Sequence, residues 1–238
     1  MSPIRYGVIG CAGVGTTHAE GVHAADGAEL VACADIDPDA ARGFADEYRV
    51  PAWYEDVTEM IRESGVDAVS VCTPSGTHAD VTVEAAEAGV HVLCEKPLDV
   101  YADRMDRAIE ACEAAGVTLA GVFQWRFEPG TRRARQAMVD GELGTPVLGD
   151  TTRKWFRSQA YYDSAGWRGT RDMDGGALMN QTIHVIDLLA WFMDGVESVS
   201  AITENVDRDL ECEDTAAIAL SFENGAVGTI EGTTAAKG

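Results

Sequence analysis

Over its first 122 residues the chain alternates short, nearly unbroken apolar runs with helical segments, a pattern few folds accept. The runs are Ile4–Ile9, Glu29–Ala34, Ala68–Cys72, Val90–Cys94 and Val117–Val122. Between them lie helical stretches at Val14–Ala25, Pro38–Tyr48, Glu55–Glu63, Thr77–Ala88 and Tyr101–Ala115. Pro38 suits a first helical turn, and Gly89 and Gly116 suit helix ends. Strands that are apolar throughout are buried on both faces, which implies a parallel sheet sandwiched by helices. Residues 1–122 therefore read as a doubly wound α/β domain. Beyond Val122 the pattern changes to a helix at Pro129–Val139, a strand at Pro146–Phe156 and a helix at Leu178–Met193. Thr215–Phe222 and Ala226–Glu231 flank Glu223-Asn224-Gly225 and read as a hairpin. Residues 123–238 thus form a second, α+β domain with a mainly antiparallel sheet.

The turn after the first strand is Gly10-Cys11-Ala12-Gly13-Val14-Gly15. A dinucleotide-binding (Rossmann) loop needs glycine for the tight turn, a small residue where backbone meets pyrophosphate, and glycine again where helix packs on strand. Gly10 and Gly15 fill the outer places and Ala12 the middle one, with Gly13 and Val14 completing the cradle at the helix start. The same spacing is compatible with a nucleoside-triphosphate loop, but that chemistry requires lysine where Thr16 stands. Asp35 closes the second strand twenty residues after Gly15. A carboxylate there accepts from both ribose hydroxyls and repels a 2′-phosphate, so NAD is expected rather than NADP.

Ligands of open α/β sheets sit beyond the carboxyl ends of the strands. Two further segments emerge at that edge, Thr73–His78 and Glu95–Pro97, which makes Thr73, Ser75, His78, Glu95 and Lys96 candidate cofactor contacts. The chain has three lysines in all, Lys96, Lys154 and Lys237. One placed directly after a buried strand suits donation to a substrate oxygen that gains negative charge.

Thr73–Asp80 (Thr-Pro-Ser-Gly-Thr-His-Ala-Asp) and Ala88–Leu98 (Ala-Gly-Val-His-Val-Leu-Cys-Glu-Lys-Pro-Leu) resemble the glucose–fructose oxidoreductase/inositol dehydrogenase/rhizopine-catabolism (Gfo/Idh/MocA) family. Gly175–Asp187 (Gly-Gly-Ala-Leu-Met-Asn-Gln-Thr-Ile-His-Val-Ile-Asp) is similar to that family's second signature, and the likeness runs from Ile4 onward. The resemblance implies a pyridine-nucleotide enzyme acting on sugars, cyclitols or related compounds, with Lys96 and His184 at its reactive positions. Much of the family carries Asp where this chain has Asn180. An amide orients a hydroxyl without taking its proton, which leaves His184 as the base. Family members usually continue past the hairpin with further strands that mediate oligomers. The second domain therefore reads as incomplete, and a homo-oligomer is expected where the sheet is complete.

Read from spacing alone, Asn180, His184 and Asp187 share one face of a helix. An imidazole there can accept a hydroxyl proton near neutral pH. Arg126, Tyr162, Trp167 and Arg168 are candidate substrate contacts, together with Lys96, Asn180 and His184. Packing of the Tyr and Trp rings in the second-domain core is the competing reading. Trp167-Arg168-Gly169-Thr170 and Tyr161-Tyr162 resemble the branch that oxidises UDP-linked aminosugar acids at the 3-hydroxyl.

Charge narrows the partners. Forty acids face 18 bases, a net charge of −22, and so acidic a surface repels phosphate backbones and excludes general nucleic-acid binding. Few lysines and many acids suit a salty cytoplasm, where screening relieves self-repulsion. Arg126–Arg171 departs from this, with nine bases against five acids, which points to an anionic sugar derivative as the small-molecule partner. No apolar stretch reaches the ~20 residues of a membrane span, and Met-Ser-Pro-Ile-Arg lacks a signal peptide's apolar region. The six cysteines form no CxxC pair and read as reduced core thiols of a cytoplasmic protein. No His, Cys or acid grouping has zinc spacing, so no metal is expected. A non-catalytic nucleotide-binding regulator on the same fold is the alternative reading, and the presence of both Lys96 and His184 argues against it.

Overall fold

In this computed structural model, which describes residues 2–237, the chain divides into two units, residues 1–122 and 123–238. The first alternates strand and helix: β1 (Ile4–Ile9), α1 (Val14–Ala24), β2 (Ala28–Ala34), α2 (Pro38–Tyr48), β3 (Ala52–Tyr54), α3 (Val57–Ser64), β4 (Ala68–Val71), α4 (His78–Glu87), β5 (His91–Cys94), α5 (Ala102–Ala115) and β6 (Leu119–Gly121). All six strands are parallel, in the order β3–β2–β1–β4–β5–β6. One face buries Ile9, Val31, Met60, Val69, Val71 and Val92 beneath helices, and the other buries Val8, Ala19, Leu30, Phe44 and Ala45. Burial on both faces explains why these strands are apolar throughout. The strand order reverses between β1 and β4, which sets the ligand crevice at their carboxyl ends, where Gly10 and Thr73 leave the sheet.

The second unit contains α6 (Pro129–Val139), β7 (Leu148–Lys154), α7 (Gln159–Tyr162), a π turn (Leu178–Thr182) running into α8 (Ile183–Met193), then β8 (Val196–Glu204), β9 (Thr215–Phe222) and β10 (Val227–Thr233). Its sheet order is β7–β10–β9–β8. Leu189 and Met193 of α8 pack on Leu220, Phe222 and Ile230 of the sheet. At the expected hairpin, Asn224 accepts from the Ala226 amide at 2.9 Å, and Gly225 takes the left-handed conformation.

Several details differ from the sequence reading. β3 and β8 are additional strands, and β7 pairs with β10 in parallel, so the sheet is mixed with two antiparallel ladders of three. The segment expected as one helix over 178–193 begins with a π turn, whose wider loop carries an extra residue per turn. That shifts Asn180 relative to the α-helical spacing assumed for it. The strand expected at Pro146–Phe156 is paired only over Leu148–Lys154, with Phe156 forming an isolated bridge to Ala235.

Candidate active site

Gly10 sits at φ +95°, and a Cβ there would stand 2.6–2.9 Å from the Cys72 and Thr73 backbone, so only glycine makes this turn. Past it, Ala12, Gly13 and Val14 are exposed, while Gly15 is buried against the Gly10 carbonyl. Helix α1 starts without a side-chain cap; the Gly15 amide turns back to the Ala12 carbonyl at 3.0 Å, and the rest of the helix start is suited to an anion. Asp35 is tied to this cradle: Oδ2 accepts from the Cys11 amide at 2.8 Å and Oδ1 from the Asp37 amide at 3.0 Å. Each oxygen keeps acceptor capacity. A turn that only glycine makes, a helix start without a side-chain cap and an anchored carboxylate fit a dinucleotide.

At the neighbouring edge, Thr73 is half-buried and its Oγ1 accepts from Thr77 at 2.8 Å. Ser75 is buried in a 3-10 turn. His78, expected to meet the cofactor, is corrected to a structural clamp. It is 1% exposed, with Nδ1 2.6 Å from the Pro97 carbonyl and Nε2 2.8 Å from the Thr73 carbonyl. Burial pushes its pKa down against the pull of those carbonyls, and with both ring nitrogens turned to backbone carbonyls neither faces a ligand. Asp99, fully buried, accepts from the amides of Ala79, Val100 and Tyr101 and fixes the segment after Lys96. Glu95 is buried, and its carboxylate takes the Lys96 amide at 3.2 Å.

In the second unit a 3-10 turn, Gln124–Phe127, grips α8 by two adjacent side chains. Trp125 stacks on the His184 ring at 5.1 Å between centroids, 24° from parallel. Arg126 forms a bidentate ion pair with Asp187, one turn further along. Arg126 also lies over Phe123 and Trp191. Its guanidinium thus holds the helix, and the side chain remains partly exposed. The π turn presents Asn180, whose amide donates to buried Asp174 and whose carbonyl accepts from Gln181 at 2.6 Å. Asp174 also takes the Gly169 amide at 2.9 Å. Glu213 receives the Leu178 amide at the start of this turn, and burial pushes its carboxyl pKa up. Gly176, at φ +88°, lies so close to Glu213 that any Cβ would overlap the carboxylate.

From Trp125 a column of alternating rings and guanidiniums extends outward. Arg153 lies over Trp125 and Trp155 at 5.2 and 4.0 Å, and Arg157 over Trp155 and Tyr161 at 5.6 and 4.5 Å. Arg168 lies over Tyr161 and Trp167 at 4.3 and 4.6 Å. None of these three arginines has a carboxylate within ion-pair distance among the described residues, and the Nε of each is buried without a hydrogen-bond partner. Burial, with Arg157 beside it, pushes the Arg153 pKa down. Arg157 also donates to Gln181 at 3.2 Å, which links the column to Asn180. Positive charge held on aromatic faces, with no ion pair to these three arginines among the described residues, is suited to an anionic ligand.

The structure thus brings His184, Asn180, Trp167 and Arg168 into one connected network of the second unit. Gly10, Ala12, Gly13, Val14, Gly15 and Asp35 form a second cluster at the β1 edge, and Thr73, Glu95 and Lys96 sit at the β4 and β5 edge of the first unit. Tyr162 is corrected: it is 5% exposed and donates to Thr234 at 2.8 Å, a packing role, while its neighbour Tyr161 takes the place in the column. Sequence reasoning missed Trp125, Asp174 and Gln181. The clustered bases over 126–171 were the one signal that pointed toward Arg153 and Arg157. All six cysteines are free and buried, and among the described residues no group of three or more His, Cys, Asp or Glu could hold a metal.

Comparison with known proteins gives a consistent picture. Residues 4–123 match the family model described as "Oxidoreductase family, NAD-binding Rossmann fold", and residues 131–238 match the GFO/IDH/MocA C-terminal domain. The chain is 34% identical to the myo-inositol 2-dehydrogenase of Thermotoga maritima, over 96% of this chain and 68% of that protein. It is 33% identical to D-xylose 1-dehydrogenase (NADP(+)) 2 of Haloferax volcanii, over 96% and 69%. Among solved structures, the WlbA dehydrogenase from Bordetella pertussis, crystallised with NADH and UDP-GlcNAcA, superposes with a TM-score of 0.95 at 36% identity. That match covers 98% of this chain and 68% of that one. The chain spans about two thirds of the length of these relatives.

Proposed function

This chain belongs to the Gfo/Idh/MocA oxidoreductase family, and from that premise we propose that it is an NAD-dependent dehydrogenase acting on a hydroxyl carbon of an anionic sugar derivative, of the nucleotide-sugar-acid kind. The observation that carries the substrate class is the arginine–aromatic column that starts at the His184 ring. Three guanidiniums stacked on rings suit carboxylate or phosphate oxygens, and the flanking rings suit a sugar face or a base. The Bordetella relative's complex with UDP-GlcNAcA supports the same class.

Bound NAD supplies the hydride acceptor. We read the loop amides as holding the pyrophosphate and Asp35 as holding the ribose, with preference over NADP. Lys96 donates from its ammonium to the substrate oxygen and stabilises charge that grows there. His184 takes the hydroxyl proton, its ring plane fixed by Trp125. Asn180, held by Asp174 and Gln181, orients a substrate hydroxyl. Arg157 and Arg168 receive the anionic group. The surrounding acidity and the free thiols support the cytoplasm of a halophile as the setting, and we take a homo-oligomer as the assembly. No helix among the described residues is long and apolar enough to cross a membrane.

Steady-state NADH formation across neutral sugars, inositols and nucleotide-sugar acids tests this reading. A higher kcat/KM for the acids, reduced at least ten-fold by Arg157→Gln or Arg168→Gln, is the expected result. Equal use of neutral sugars, unaffected by those changes, overturns the substrate class. Tighter binding of NADP(H) than NAD(H) overturns the role of Asp35.

A further inference from the structure

Beneath the strand end that carries Lys96 lies a polar chain to which the proposed reaction assigns no part. His18, in the second turn of α1, reaches across to the sheet, where its ring lies between two partners. Nε2 is 3.0 Å from Glu95 Oε1 and Nδ1 is 2.7 Å from Ser70 Oγ. Ser70 in turn lies 3.0 Å from the Tyr6 hydroxyl. The His18 and Glu95 side chains are only 9% and 11% exposed, and Ser70 is fully buried. So sequestered a chain is costly unless each member is satisfied, and each is.

The direction of the chain follows from its chemistry. Burial raises the Glu95 pKa, but the His18 and Lys96 interactions outweigh it and hold the carboxyl below its ordinary range, so it is ionised and only accepts. His18 Nε2 must therefore carry the proton. Burial pushes the Tyr6 hydroxyl up, so it stays protonated, and Ser70 bridges it to the imidazole. Glu95 is left with Oε1 fixed by His18 and Oε2 receiving the Lys96 amide. The peptide from which Lys96 departs is thus held by a carboxylate that a helix on the sheet's face holds in turn.

We propose that His18 is a positioning residue for Lys96: its Nε2–H fixes the Glu95 carboxylate, which holds the lysine's peptide at the end of β5. The inference rests on the reading of Lys96 as the group that meets the substrate oxygen, and it adds a residue from α1 to that reading. A glutamine at 18 places an amide N–H near Nε2 and preserves donation to Glu95. An asparagine is too short to reach it and retains at most the Ser70 side.

His18→Gln, His18→Asn, Glu95→Gln and the His18→Asn/Glu95→Gln double variant separate these roles in the full chain by two readouts. The first is kcat and KM for NADH formation. The second needs no turnover: the rate at which an N-hydroxysuccinimide ester acylates Lys96, followed by mass spectrometry, which resolves three lysines easily. The expected result is a kcat at least ten-fold lower in His18→Asn with a smaller change in KM. Its Lys96 acylation rate changes in the same direction and by a similar factor as in Glu95→Gln. The double variant matches Glu95→Gln alone, and His18→Gln restores both readouts to within about three-fold. Equal losses in His18→Gln and His18→Asn, multiplying losses in the double variant, or an unchanged Lys96 rate in folded His18→Asn overturns the proposal. Should His18→Asn not fold, Ser70→Ala frees the other ring nitrogen. A Lys96 rate displaced toward that of Glu95→Gln then supports the proposal, and an unchanged rate overturns it. Absence of turnover in the unaltered chain counts against the dehydrogenase reading, and the acylation comparison still decides the role of His18.

Discussion

Single residues carry the chemistry, and their surroundings set what each can do. Lys96 leaves a buried strand end where Glu95 and Asp99 fix the backbone on either side, so its removal should cost rate rather than fold. Lys96→Ala is expected to lower kcat by ~10²–10³, the usual worth of one transition-state donor, with little change in the thermal midpoint. A near-normal kcat would make the lysine structural. Lys96 and Asp35 lie at the strand ends that the apolar runs mark, so their places in the fold were legible, whereas Asn180 falls in a π turn that the helical spacing did not show. His78 and Tyr162 were misread because sequence spacing places a residue at an edge without saying which way its side chain turns. For His78 the deciding fact is a pair of backbone carbonyls supplied by Thr73 and Pro97, one of them nineteen positions away. Trp125 was invisible for the same reason: nothing near it in sequence names His184 as its partner.

Elements were legible where local patterning decides them and illegible where partners do. The parallel strands of the first unit announced themselves because burial on both faces forces apolar runs. β8 did not, since Val196–Glu204 is exposed along its length and is a strand only through pairing with β9. β3 has three residues, too few for any period to show. The π turn is a register change that no composition marks. Between β8 and β9 the chain is organised by one carboxylate: fully buried Asp214 accepts from the amides of Val206, Asp207 and Arg208 and from the Thr215 hydroxyl. Burial alone would raise its pKa, but these donors outweigh it and hold it below the ordinary value. A depressed folded pKa gives stability that is complete above the unfolded value of about 3.9 and lost as pH falls through the lower folded one. Asp214→Asn should therefore destabilise the chain by about 1–3 kcal/mol at neutral pH and flatten the loss below pH ~4. Urea unfolding between about pH 2 and 7 checks both; an unchanged acid slope would show that Asp214 has no share in the acid lability.

For the molecule taken entire, net charge acts on every part of the surface at once. A net −22 on 238 residues costs stability through self-repulsion, which salt relieves as the Debye length falls from about 10 Å at 0.1 M to 3 Å at 1 M. The thermal midpoint is expected to rise by roughly 5–10 °C over that range, and a flat or falling midpoint contradicts the halophile reading. The arginine column should behave oppositely, with the KM for an anionic substrate rising as salt screens it. Everything proposed for the site turns on this chain oxidising a sugar hydroxyl with His184 as the base. The deciding experiment is the pH dependence of kcat/KM for NAD reduction by a nucleotide-sugar acid, in the unaltered chain and in His184→Asn. The unaltered chain should show a rate that climbs with pH as an imidazole loses its charge, and the variant should be slowed by ~10²–10⁴ and lack this limb while binding NAD normally. A variant that keeps both its rate and its limb would show that the proton leaves by another route.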